Sequence, residues 1–234
     1  MRPPAPKSVA QLIEDHIQQW QVGGKRKYKQ PIRPVVTLSR LPGSGGEILG
    51  RKLAENLKIG YFDNEIIEAI AKSAKVGDTI VETLDEQDRS MLSDWISALL
   101  GDQQLWPYEY LHHLSRVVGA IAAHGHAVIV GRGAGFILPP EITLRVLVVA
   151  PMEDRVRNVA EMFKVSEEEA RKRVTRAESE RRAFIRRYFN ADMMEPNYYD
   201  IIINTQYLTI DNGVDIVKTA YNTRRWYDYS TRTK

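Results

Sequence analysis

From Pro34 onward, short apolar runs rich in β-branched residues alternate with longer stretches of helical periodicity. The runs fall at 35–38, 59–62, 127–130, 144–149 and 200–203, and they are almost continuous in Val, Ile and Leu, as strands covered on both faces must be. Helices are predicted at 64–74, at 109–123 and over most of 153–189, and another follows the first strand, with Ile48, Leu49, Leu53, Ala54 and Leu57 on one broad face. Strands alternating with helices imply βαβ units. The expected fold class is therefore α/β, three-layered, with a five-stranded parallel sheet. Before Pro34 the pattern differs. Pro3, Pro4 and Pro6 oppose regular structure, Val9 to Trp20 is predicted as one amphipathic helix, and 23–29 is a basic, glycine-led connector. The expected organisation is an arm at 1–33, one domain at 34–222 and a tail at 223–234. The arm reads as solvated or as a dimer contact. Trp226, Tyr227 and Tyr229 in the tail read as an oligomer interface or a frayed end.

Composition narrows the classes. With 234 residues, 33 Lys+Arg against 30 Asp+Glu and no cysteine, disulfide frameworks and Cys-ligated zinc are excluded. A net charge of +3 is too small to predict a nucleic-acid partner. The first residues carry no apolar signal segment and no stretch reaches the roughly 18 apolar residues of a membrane span, so a cytoplasmic protein with no membrane partner is expected. His112-His113 and His124-Gly125-His126 lack the further ligands a zinc site requires and read as packing or surface residues, so no metal ligand is assigned among the side chains.

The richest local signal is the turn after the first strand, Ser39-Arg40-Leu41-Pro42-Gly43-Ser44-Gly45-Gly46-Glu47. Strand, glycine turn and helix aim unpaired amides and the positive end of a helix dipole at an anion, and phosphate is the natural occupant. An unliganded βα turn is the bland alternative. The usual nucleotide-binding pattern requires Lys and then Ser or Thr after the last glycine. Here Gly46, Glu47 and Ile48 follow Gly45, so Arg40 is the nearest basic replacement, and Arg51 and Lys52 are expected to face solvent or a lid.

Arginines recur where further anion contacts are needed. The third strand runs into Gly131-Arg132-Gly133, beyond the carboxyl end of the sheet, where ligands of open α/β folds bind. Ser166 with Glu169 predicts a capping box that opens a helix. Arg171, Arg173, Arg176, Arg181, Arg182, Arg186 and Arg187 follow it. Glu178 is spaced to pair with Arg182, while Arg182 and Arg186 repel unless an anion lies between them. A lid over phosphates, at about 165–192, is the favoured reading, with a solvated helix face as the alternative.

Taken in order, Ser39-Arg40 with Gly43-Ser44-Gly45-Gly46, the run from Tyr61 to Ile67, Val130-Gly131-Arg132-Gly133, the Arg181-to-Arg187 stretch and the run from Tyr199 to Thr205 make the chain similar to the cytidylate kinase-like family of P-loop nucleoside monophosphate kinases. The resemblance spans about 35–216. It implies a P-loop NTPase-type fold, a helical acceptor-binding segment after the second strand and an arginine-rich lid. It also implies transfer of the γ-phosphoryl of ATP, with Mg²⁺, to CMP, dCMP or a related small phosphorylated acceptor. On this basis Gly43, Ser44, Gly45, Gly46 and Glu47 cradle the donor phosphates, and Arg155 and Arg157 flank its base. Asp63 and Arg132 take the acceptor, and Arg40, Arg181, Arg182 and Arg186 carry the transferring group. Three positions depart from a well-formed CMP kinase: the loop lacks Lys and Ser/Thr, Glu68-Ala69 replaces an expected arginine, and Gly133 replaces an aspartate. The alternative reading is a catalytically idle nucleotide-binding regulator.

Overall fold

The computed structural model describes residues 7–22, 34–100 and 108–226. The connector at 23–29 and the tail residues Tyr227 and Tyr229 lie outside them. The strands β1 (Val35–Arg40), β2 (Gly60–Phe62), β3 (Ala127–Val130), β4 (Thr143–Val149) and β5 (Ile201–Asn204) form one sheet in the order β2-β3-β1-β4-β5. Every pairing is parallel, with Leu38 opposite Val130 on one side and Val146 on the other. β1 is central, so the turn that follows it opens at mid-sheet.

The near-continuous apolar runs have the predicted cause. Along β3, Ala127 and Ile129 enter one core while Val128 and Val130 enter the other. The second core is closed by α2 (Gly46–Leu57) and α10 (Ile210–Thr223), through Leu49, Leu53, Val214 and Val217. The first is closed by α3 (Asn64–Ala71), α4 (Ala74–Glu82), α5 (Glu86–Leu100), α6 (Tyr108–His124) and the short α7 (Ala134–Ile137). The architecture is the expected three-layer α/β fold. β5 departs from the two-sided pattern: it is an edge, and Ile202 is exposed.

The N-terminal helix α1 (Val9–Val22) forms where the periodicity places it, with its polar face exposed and its apolar face packed on the domain. Leu12, Ile13, Ile17 and Trp20 pack on the first core. Trp20 stacks on His124 at 4.2 Å between ring centroids, and His16 lies 4.3 Å from Phe62 at the end of β2. Burial pushes His124 down to about 4, so this stack is made by a neutral imidazole.

Two helices, α8 (Met152–Phe163) and α9 (Glu167–Phe189), make the 153–189 region an antiparallel hairpin. Val156 and Val159 meet Ala170 and Val174 along its seam. Ser166 accepts from the Glu169 amide at the head of α9, as its spacing predicts. Near the far end of α9, Ile185 packs with Leu41, Ala191 and Met193, which holds the hairpin against the exit of β1.

Candidate active site

The glycine turn is anchored by its carbonyls. Asn158 of α8 donates to the Gly43 carbonyl at 2.9 Å, and the Thr205 hydroxyl lies 3.0 Å from the Ser44 carbonyl. The buried Ser44 hydroxyl points into the turn, 2.8 Å from the Leu41 carbonyl and 3.1 Å from that of Val148. With carbonyls held behind, the amides at the start of α2 face outward. Its N-cap is Gly45, in the left-handed region at φ 77°, with no side-chain acceptor to quench them. An uncapped helix start of this kind is a ready anion site.

Arg40 is more deeply placed than a residue at the mouth of the turn. It is 9% exposed, and two glycines make its path. A Cβ on Gly46 would sit 2.6 Å from the Arg40 Cβ, and a Cβ on Gly131 would sit 2.3 Å from an Arg40 guanidinium nitrogen. The missing loop lysine therefore has a steric explanation: the stem of Arg40 occupies the space next to position 46.

Arg181, from α9, donates to the Arg40 carbonyl at 2.9 Å. Burial pushes the Arg181 guanidinium down to about 10, and the charge of Arg40 adds to the shift. Arg40 is also lowered, first by burial and in part by Arg132, against the opposing pull of Glu47, Tyr61 and Asp63. Arginines from β1, from the loop after β3 and from α9 thus lie near enough for their charges to oppose one another, beside the uncapped helix start and with Glu47 and Asp63 as the nearby acids. An anion bound among these arginines would relieve that repulsion.

The other predicted residues divide. Asp63 caps α3, its Oδ1 accepting from the Glu65 and Ile66 amides at 3.0 Å each, while its Oδ2 lies 4.0 Å from Arg51. Arg51 also lies 3.8 Å from Glu47 and over the Tyr61 ring at 5.0 Å, with its side chain exposed, so it stands at this rim facing solvent, as expected. Tyr61 is pushed up to about 12, mainly by burial, and its hydroxyl has no partner. Arg132 has a left-handed backbone at φ 50° and pairs with Glu68 at 2.9 Å.

Arg155 is 5% exposed and is held by the Ala150 carbonyl at 3.0 Å and Glu178 at 2.8 Å, an internal brace of the hairpin. Glu178 also takes Arg182 at 2.8 Å, the expected i,i+4 pair. Arg157 pairs with Asp154. Arg186 is exposed and has no acidic partner among the described residues. Thus Arg40 and Arg181 stand beside the glycine turn without a carboxylate partner among the described residues, Arg132 stands near them but holds Glu68, and Arg155, Arg157 and Arg182 are tied to carboxylates within the hairpin. Glu68, Asn158 and Thr205 carry weight that the sequence reading did not give them. Thr205 does lie in the run from Tyr199 that marked the resemblance, but no spacing rule connects Glu68 to residue 132 or Asn158 to residue 43.

With that geometry in hand, comparison with known proteins is decisive for the family. Residues 35–207 match the family model described as cytidylate kinase-like, which is most of the chain. The chain belongs to the cytidylate kinase-like family. It is 26% identical over 199 residues to a cytidylate kinase of Methanopyrus kandleri, covering 81% of this chain and 93% of that one. A cytidylate kinase of Pyrococcus horikoshii is 27% identical over 191 residues, covering 80% and 87% respectively. Among solved structures, an uncharacterized protein from Eubacterium ventriosum superposes with a TM-score of 0.58 at 19% identity, over 82% of this chain and all of that one, a likeness of fold. Among the described residues no helix is long and apolar enough to cross a membrane.

Proposed function

We propose that this family member is a phosphotransferase that moves the γ-phosphoryl group of ATP to a nucleoside monophosphate or a related small phosphorylated acceptor. The observation that carries the reading is the uncapped start of α2 with the Arg40 stem packed beside Gly46, the Arg40 guanidinium against Gly131 next to Arg132, and Arg181 bound to the Arg40 carbonyl. The residues fit a polyphosphate: outward amides at Gly45, Gly46 and Glu47 would cradle it, and Arg40 supplies the positive charge that a lysine at position 46 would bring. Mg²⁺ would neutralise charge on the donor phosphates when bound. The Ser44 hydroxyl is turned inward, so the rim carboxylates of Glu47 and Asp63 are the groups placed to orient the waters of such an ion.

An acceptor phosphate is already anionic and needs no strong base, so alignment and charge neutralisation suffice. Arg132 would hold the acceptor phosphate, Arg40 the donor side, and Arg181 would bridge as the lid seats on β1. The similarity to cytidylate kinases makes CMP and dCMP the first acceptors to try.

A coupled assay of ADP release with ATP and each monophosphate tests the reading. Arg40→Ala is expected to lower turnover at least about tenfold, roughly 1.4 kcal/mol of transition-state stabilisation. Tight ATP binding without ADP release from any acceptor would instead mark the chain as a nucleotide-binding regulator. The loop's Gly46 and Glu47, where the usual pattern has Lys and a hydroxyl residue, are the observation that favours this second reading.

A further inference from the structure

Arg132 does not face the pocket with its charge free. Its guanidinium lies 2.9 Å from Glu68 Oε2, and the Tyr110 hydroxyl donates to the same oxygen at 2.9 Å. The other carboxylate oxygen lies 3.3 Å from Lys72. Two features show that this arrangement is incomplete. The Arg132 Nε is buried and has no acceptor, although an arginine fork ordinarily finds a partner for every buried N–H. Arg132 also shares its surroundings with Arg40 and Arg181, whose lowered pKa values include repulsion from Arg132. Glu68 thus compensates the charge of Arg132 from one side only.

Glu68 is also held in a way that lets it release the arginine. If Arg132 turned to another anion, the Glu68 carboxylate would keep the Tyr110 hydroxyl and the Lys72 ammonium. It would not be stranded as a lone buried charge. With side chains 30% and 21% exposed, the Arg132–Glu68 pair is wet enough for exchange to be inexpensive.

We propose that Glu68 is a displaceable counter-charge that sets the threshold for occupancy of the acceptor pocket: a ligand enters only if its anionic group outcompetes a carboxylate for Arg132, which favours a phosphomonoester dianion over singly charged groups. The inference rests on the assignment of Arg132 to the acceptor phosphate. Glu68 is a positioning residue in this scheme, acting through the arginine it holds. A phosphate dianion offers twice the charge and enough oxygens to reach the Nε as well as the terminal nitrogens, which one carboxylate oxygen does not.

The test is isothermal titration of the full chain with inorganic phosphate at pH 8 and with acetate, for wild type, Glu68→Gln and Tyr110→Phe, with the melting temperature of each recorded. Glu68→Gln keeps the shape and removes the competing charge. It should bind phosphate about fivefold tighter or better and should gain measurable acetate binding, without a rise in melting temperature. Tyr110→Phe leaves Glu68 fully on Arg132 and should bind phosphate no tighter than wild type. A purely structural role for the cluster predicts instead that both variants lose phosphate binding together, and that result overturns the proposal. Wild type and Glu68→Gln binding phosphate equally overturns it too, while leaving the anion pocket standing. Absence of phosphate binding by all three proteins removes the Arg132 assignment itself.

Discussion

Gly43→Ala puts the loop's dependence on the lid hairpin to a quantitative test. Gly43 has φ +79°, and a Cβ there would meet the Arg155 carbonyl oxygen at 2.4 Å and two further Arg155 backbone atoms at 3.0 Å. None of these is the end of a flexible side chain. An ordinary contact requires the turn and the start of α8 to separate by about 1 Å, which also pulls the Gly43 carbonyl away from Asn158. The left-handed backbone costs an L-residue roughly 1–2 kcal/mol. Overpacking adds about 1–3 kcal/mol, and reduced freedom of the unfolded chain returns about 0.4–1 kcal/mol. The net loss is about 1–4.5 kcal/mol, or on the order of 3–15 °C in melting temperature for a chain of this size. Calorimetric melting with ATP titration on the same samples reads both effects, and ATP affinity should fall with stability. Gly77→Ala is the internal control. Its Cβ would meet nothing closer than 3.8 Å, inside α4, so it should be neutral or stabilising by about 0.5–1 kcal/mol. A Gly43→Ala protein that melts with wild type and binds ATP unchanged would refute the idea that α8 fixes the turn.

Other expectations are as direct. Arg181→Ala should lower turnover by about a hundredfold or more while ATP affinity changes little, because its guanidinium acts where charge develops; equal losses in rate and binding would place it with the donor. Arg224→Ala removes donors to the Thr143 carbonyl at 2.7 Å, the Pro140 carbonyl at 2.6 Å and Asp200 at 3.1 Å, and should cost about 2–3 kcal/mol in urea denaturation. His124 stays neutral in the fold down to about 4, whereas in the unfolded chain it protonates near the ordinary histidine value of 6.5. The unfolded state therefore binds more protons in that window. Stability should be full above it and fall by about 3 kcal/mol as the pH drops through it, a loss that His124→Gln should largely abolish.

The sheet was legible because strands buried on both faces leave unbroken apolar runs, and the three inner strands β3, β1 and β4 lie in that environment. β5 was legible too, although Ile202 is exposed at the edge. The strand order was not, since it depends on crossovers that no local pattern encodes. Helix α5 escaped because it mixes polar and apolar residues without a clean stripe, and α4 because it follows α3 after only two residues and merges with it in the pattern. Within the site, Arg132 was found from its place at a strand end. Its pairing with Glu68 was not, because the partners lie in distant segments and meet only when α3 crosses the end of the sheet. Arg155 shows the converse failure: an arginine near a predicted pocket looks like a ligand in sequence, while the fold spends it on Glu178 and the Ala150 carbonyl.

The crossing of Arg40 and Gly46 has a consequence for variation. A long side chain at either position excludes one at the other, since the two Cβ atoms would stand 2.6 Å apart. Descent between this loop and one bearing lysine at 46 must then exchange both residues together or pass through an ancestor with neither. Relatives aligned at these columns should show the pair inherited as a unit, a covariation enforced by volume alone.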